Sequence, residues 1–155
     1  MEPRTSTPRQ RLAAIEMLAK AGVRAGVNVA PVIPGLTDHE MLSIVEASVR
    51  AGAQFAHYTV VRLPYAVKDL FEEWLTLHAP GKRDKVLNRI RAMRDGKLND
   101  STWDQRMTGG GIFAEQIRQT FAVACRKAGL SDTDRFALST ADFRRPERSQ
   151  LALGL

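Results

Sequence analysis

The sequence contains a single cysteine, Cys125, among its 155 residues. One cysteine cannot form an internal disulfide, and it excludes a metal or iron–sulfur site built from several thiolates of this chain. The sequence has no run of about 18 apolar residues, the length that a transmembrane helix needs. Its first residues lack the apolar core of a secretory signal. These absences predict a soluble, cytoplasmic protein that does not enter a membrane.

Motifs of several enzyme classes are also missing. There is no HExxH zinc motif, no GxxxxGK phosphate loop, no GxGxxG dinucleotide motif and no Ser–His–Asp arrangement. His39, His57 and His78 are not spaced as metal ligands. His57 and Tyr58 are consecutive residues of a predicted strand, so their side chains are expected on opposite faces, with one of the two facing the barrel interior. Cys125 falls on an apolar helix face, which favours a buried structural thiol over a reactive one.

The composition is that of a globular protein with an excess of basic residues. Hydrophobic residues make up 44% and charged residues 26% of the chain, which excludes a disordered polymer. The formal net charge is +6. Acidic residues interrupt most of the basic clusters, so solvated helix faces explain most of the charge. A nucleic-acid-binding surface is the alternative.

The first helix and strand have clear boundaries. Thr7, followed by Pro8 and Gln10, predicts a capping box at the start of a helix. That helix carries an apolar face, Leu12, Ile15, Leu18 and Ala19. The run 23–33 is apolar and of strand length, and Pro34-Gly35 ends it.

A second helix and strand repeat this arrangement. Thr37 and Glu40 predict another capping box, with Leu36 stapled onto Met41. The segment 54–63 predicts the next strand, ended by Pro64. The order α–β–α–β with short loops predicts parallel neighbouring strands joined by a helical crossover.

The rest of the chain is predicted to be helical. Two amphipathic helices precede Gly96, an irregular loop follows over 95–111, and a last helix stops at Gly129. We therefore divide the chain into α/β units (1–64), a helical extension (65–130) and an arginine-rich, poorly ordered tail (131–155).

Two strands are too few for an independent sheet. Both predicted strands are apolar enough to be buried on both faces, yet an isolated pair cannot cover itself. The sequence therefore predicts a partner for the sheet, which is either a second copy of the chain or a missing N-terminal half of a barrel.

Five stretches in a fixed order carry a resemblance to a known family. They are Glu2-Pro-Arg-Thr-Ser-Thr-Pro8, Val29-Ala-Pro-Val-Ile-Pro-Gly-Leu-Thr-Asp38, Lys85-Val-Leu-Asn-Arg-Ile-Arg91, Gly96-Lys-Leu-Asn-Asp-Ser101 and Arg106-Met-Thr-Gly-Gly110. In this combination the chain resembles the radical S-adenosylmethionine (SAM) superfamily, and within it the spore photoproduct lyase-like branch of uncharacterised iron–sulfur oxidoreductases. The resemblance extends to about Pro146.

The resemblance implies an α/β fold, namely the C-terminal part of a partial (β/α)6 barrel with a helical extension. Residues 27–32 would form its fifth strand and residues 59–63 its sixth. In that family the strand ends hold SAM. Carried onto this sequence, the implied SAM contacts are Ala30, Pro31, Val32, Arg62 and Leu63. Thr5 and Ser6 are added as candidate contacts because they precede a helix N-terminus, where hydroxyls and free amides receive anions.

The sequence departs from the family at the cluster-binding motif. The family uses CxxxCxxC to hold a [4Fe-4S] cluster, and this chain contains no such triplet. The resemblance implies that the intact parent, with SAM and [4Fe-4S], is an oxidoreductase or lyase acting on nucleic acid. We expect this chain alone to be inactive.

Simpler roles compete with the ligand roles. Arg62 is suited either to an ion pair with a helix carboxylate or to a carboxylate or phosphate ligand. Thr5 and Ser6 precede a helix N-terminus, where capping by Thr7 is the simpler explanation. The alternative function from a different class is a non-catalytic, dimerising binding module with a basic surface for anions or nucleic acid.

Overall fold

The computed structural model describes residues 5–103, 105–130 and Arg144. The described chain is α/β, with five α-helices and one sheet of two parallel strands. The elements are α1 (Pro8–Lys20), β1 (Gly26–Val32), α2 (Met41–Arg50), β2 (Phe55–Val60), α3 (Val67–His78), α4 (Arg83–Ala92) and α5 (Gly111–Lys127). Single 3₁₀ turns lie at Asp38–Glu40 and Pro80–Lys82. The α/β class and the parallel pair are confirmed, whereas the predicted tail over 131–155 lies, apart from Arg144, outside the described residues.

The start of α1 forms as the sequence predicts. The Thr7 hydroxyl accepts a hydrogen bond from the Gln10 backbone amide, and the Gln10 side chain accepts one from the Thr7 amide at 2.8 Å. This reciprocal pair satisfies amides that a helix N-terminus leaves free. The predicted apolar face packs less well, because α1 contains no buried residue.

The capping box predicted for the second helix is wrong. The Thr37 hydroxyl accepts a hydrogen bond from the Ile33 amide at 2.9 Å, so it closes the loop after β1 instead of capping a helix. Asp38 likewise accepts from the Gly35 amide at 2.9 Å. The chain then makes a 3₁₀ turn, and α2 begins only at Met41. Thr37 prefers this loop because hydroxyl side chains compete for nearby backbone groups.

The sheet is covered on one face and exposed at several positions of the other. Val29 is buried and pairs in register with Tyr58, whose ring lies 4.8 Å from that of Phe121 on α5. Asn28 and its partner His57 point the other way and are exposed. The expectation that both faces are buried is therefore wrong at these positions.

The irregular segment between α4 and α5 is tied to the end of β2. The Val60 amide donates a hydrogen bond to the Met107 carbonyl at 2.8 Å, and the Gly110 amide donates to the Met93 carbonyl at 3.0 Å. The last residues of the predicted loop over 95–111 are thus fixed against the end of β2 and the end of α4.

The core lies between the covered face of the sheet and the helices that follow it. Its most enclosed side chains come from α2, α3 and α4 and from the strand ends, and they include Val32, Met41, Val45, Leu75, Val86 and Ile90. Burial of each such aliphatic side chain contributes about 1.5–3 kcal/mol, so this side chain set dominates the stability of the fold.

Candidate functional site

The two strands end side by side. The Val61 amide donates a hydrogen bond to the Val32 carbonyl at 2.9 Å, immediately after the last paired residues. One additional residue lies in β1 between Val29 and Val32, where Pro31 has no amide hydrogen to pair. Loops that follow parallel strands carry the ligand sites of α/β proteins, so this edge is the first place to look for a site.

The N-terminus of α1 lies at this same end of the sheet. At the opposite end, Arg24 donates to Gln54 at 3.0 Å, and a Cβ atom on Gly52 would lie 2.6 Å from the Cβ of Ala19. Because the last turn of α1 is at the amino ends of the strands, the helix runs antiparallel to β1. Thr5 and Ser6 therefore approach the strand end that carries Ala30 and Pro31.

A groove follows the whole length of β1 between α1 and α2. Its volume is about 830 Å³, within the range of about 300–1,000 Å³ typical of small-molecule sites. Leu12 and Ile15 of α1 form one wall, and Ile44 and Ala47 of α2 form the other. The floor is the edge of β1 that has no strand neighbour among the described residues.

Five of the seven predicted site residues line this groove. They are Thr5, Ser6, Ala30, Pro31 and Val32. Arg62 and Leu63 do not line it, since they follow β2. Leu63 is buried in the core, and Arg62 is exposed.

A second cavity of about 540 Å³ opens between α2 and α5. Arg89 lies at its edge, 3.4 Å from the Asp38 carboxylate and 5.0 Å from the centre of the Phe113 ring. Because the cation is already paired and stacked, we assign Arg89 a structural role in fixing the loop after β1 to α4 and α5.

Arg94 is the residue that sequence reasoning missed. Its side chain is 1% exposed, and its Nη2 donates to the Val61 carbonyl at 2.8 Å. Its Nε and Nη1 atoms are buried without a hydrogen-bond partner. The pKa of Arg94 is lowered, mainly by burial. The negative charge of Asp100 raises this pKa, and the positive charge of Arg62 lowers it. No sequence signal separates Arg94 from its neighbours Arg89 and Arg91, because burial of one arginine at a helix end depends on the loop folding over it.

The structure shows where the residues with two possible roles lie. His57 is exposed on the sheet face opposite to Tyr58, as the strand alternation predicts. The pKa of Tyr58 is raised, mainly by burial. The positive charge of Arg118 lowers this pKa, and the negative charge of Glu115 raises it. Cys125 is half-buried on α5 against the core. Arg62 has no ion pair with any described residue.

The described residues do not fit an iron–sulfur cluster. They contain no group of three or more His, Cys, Asp or Glu side chains placed to hold a metal ion. A [4Fe-4S] cluster needs several thiolates, and Cys125 packs against the core away from the groove. The groove does suit a flat apolar group such as adenine, because it combines aliphatic walls with a free strand edge.

Among residues 5–103 and 105–130, no helix is long and apolar enough to span a bilayer. The chain matches no family model, and no curated protein or solved structure is significantly similar to it.

Proposed function

We propose that this chain corresponds to the C-terminal βα units of a radical SAM barrel and binds the adenosyl part of SAM at the carboxyl end of β1. The observation that carries the proposal is the groove along β1, which brings together Thr5, Ser6 and the segment 30–32. The family resemblance implies residues 30–32 as SAM contacts, and the position of Thr5 and Ser6 before a helix N-terminus adds those two. Their convergence at one strand end supports the resemblance.

The proposal assigns only binding to this chain. The cluster-binding cysteines would belong to another part of the enzyme, because this sequence has one cysteine. In that barrel the fourth strand would extend the sheet along the edge of β1 that has no strand neighbour among the described residues. The chain by itself is then a non-catalytic portion of an oxidoreductase or lyase.

Titration of the chain with SAM tests the proposal. Ala30 is exposed at the strand end and lines the groove, so Ala30→Leu would obstruct the site without disturbing the core. Ala13→Leu is the matched control, since Ala13 is exposed on α1 and does not line the groove. We expect saturable binding by calorimetry that weakens by about tenfold or more in Ala30→Leu. Absence of saturable binding, or equal affinities in the two variants, contradicts the proposal.

A nucleic-acid substrate is proposed for the intact enzyme, supported by the net charge of +6. Binding of duplex DNA to this chain is expected to weaken steeply as salt rises, because phosphate contacts release counterions. Binding that does not change with salt would contradict a nucleic-acid substrate.

A second candidate is a dimerising, non-catalytic module, and the unpaired edge of β1 is the observation that favours it. An unpaired strand edge is a template for pairing with another chain. Light scattering over a range of protein concentrations separates the candidates. A folded dimer that does not bind SAM favours the module, whereas a folded monomer contradicts it.

A further inference from the structure

We propose that Arg94, together with Arg62, forms a binding site for a phosphate group at the carboxyl end of β2. The site lies outside the groove along β1, and SAM contains no phosphate. The inference is therefore independent of the function proposed above.

The first observation is a buried guanidinium with unused donors. Arg94 is 1% exposed and makes one hydrogen bond, from Nη2 to the Val61 carbonyl. Its Nε and Nη1 atoms are buried without a partner. A buried cation of this kind is strongly unfavourable unless an acceptor of opposite charge approaches it.

The second observation is that no described carboxylate contacts Arg94 directly. None of them lies within ion-pair distance of Arg94. The neighbouring acid, Asp100, uses a carboxylate oxygen to accept hydrogen bonds from the amide and hydroxyl of Thr102, at 2.8 and 2.7 Å. The charge of Asp100 attracts Arg94 and raises its pKa, but no described carboxylate accepts a hydrogen bond from Nε or Nη1.

The third observation is a second cation beside the first. Arg62 directly follows Val61, the residue whose carbonyl Arg94 contacts, and its side chain is exposed. Arg106 adds another buried Nε without a partner, and its guanidinium is held 3.7 Å from the centre of the Trp103 ring. Arg106 precedes Met107, whose carbonyl accepts from Val60 of the same strand end.

These features favour phosphate over a carboxylate. Guanidinium groups bind both through paired N–H donors, but a site with more than one arginine and no paired carboxylate matches a dianion better. The exposed Arg62 provides a positive charge at the surface, and the buried Arg94 provides donors that water screens little.

Inorganic phosphate is the probe, with acetate at equal ionic strength for comparison. We expect phosphate to raise the thermal unfolding midpoint of the full chain in a saturable manner. Arg94→Lys keeps the charge but loses the guanidinium fork, and Arg62→Gln removes an exposed charge without affecting the core. Each is expected to weaken phosphate binding about tenfold, because a hydrogen bond to a charged group contributes about that factor. Arg50→Gln, exposed in the last turn of α2, is the control and is expected to bind as the wild type does.

Three results would overturn the proposal. One is the absence of a saturable phosphate effect. Another is equal stabilisation of Arg62→Gln, Arg50→Gln and the wild type. The third is acetate binding as tightly as phosphate, which would assign the site to a carboxylate. Because Arg62 lies on the surface, its variant tests the proposal even if Arg94→Lys fails to fold.

Discussion

The two sides of the β1–α2–β2 unit are packed very differently. On the side of α3, α4 and α5, each helix contributes buried side chains to one continuous core. On the side of α1, the helix contributes none, and a groove of about 830 Å³ separates it from the edge of β1. The core therefore contains no side chain of α1. The α1 side is the place where a ligand or another strand has room to bind.

The largest expected effect on stability comes from replacing isoleucine by alanine on each of the two sides. Ile90 on α4 is fully buried, whereas Ile15 on α1 is half-buried. Ile90→Ala is expected to lower the free energy of unfolding by about 2–5 kcal/mol, from lost burial and the cavity that remains. Ile15→Ala is expected to cost less than about 1.5 kcal/mol. Urea unfolding of both variants checks this, and equal losses would contradict the proposed difference between the sides.

A smaller effect is expected where α1 touches the rest of the protein. Gly52 and Gly22 both have positive φ angles, of 102° and 75°. An added Cβ at Gly52 would lie 2.6 Å from that of Ala19, whereas at Gly22 it meets open space. Gly52→Ala is therefore expected to cost about 1–3 kcal/mol more than Gly22→Ala, through steric overlap added to backbone strain.

The double variant Ala19→Gly with Gly52→Ala provides the check on that explanation. Removing the methyl group of Ala19 restores space for the new one, so part of the lost stability should return in thermal unfolding. Ala19→Gly alone is the reference, because glycine within a helix costs about 1 kcal/mol relative to alanine. If Gly52→Ala costs the same in both backgrounds, the loss arises from the backbone of Gly52 alone.

The smallest expected effect on stability is the pH dependence that Tyr58, on the covered face of the sheet, contributes to the free energy of unfolding. Burial raises its pKa above the ordinary value of 10.0. The unfolded chain therefore releases this proton first as pH rises, and the stabilisation present below about pH 10 is lost above it. The free energy of unfolding should fall more steeply between about pH 9 and pH 11 in the wild type than in Tyr58→Phe. The exposed Tyr65 supplies the control variant, Tyr65→Phe, and identical slopes for all three proteins would refute the prediction.

Much of the fold could be predicted because its signals are local. Pro34 and Gly35 mark the end of β1, Gly129 follows the end of α5, and Thr7 with Gln10 marks the start of α1. Within the candidate site, the resemblance implies the strand-end residues 30–32, and the helix N-terminus indicates Thr5 and Ser6. All five line one groove. The radical SAM relationship and the (β/α)6 barrel stay predictions.

The remainder depended on which of several possible contacts forms. Thr37 has the sequence context of a helix cap, but its hydroxyl accepts a hydrogen bond from the amide of Ile33 instead of from a helix amide. The resemblance implies a strand over 59–63, whereas β2 spans Phe55–Val60 and lies within the segment 54–63 that the sequence pattern predicts.

The sequence by itself determined the α/β class, the order of the helices and strands and their approximate ends, since capping, turn residues and apolar periodicity act over a few residues. Only the tertiary structure decided which face of the sheet is covered, that α1 stands away from the edge of β1, and that Arg94 is buried beside Val61 while Arg62 is exposed. Burial of a charge is decided by the segments that fold over it, and those segments are distant in the chain.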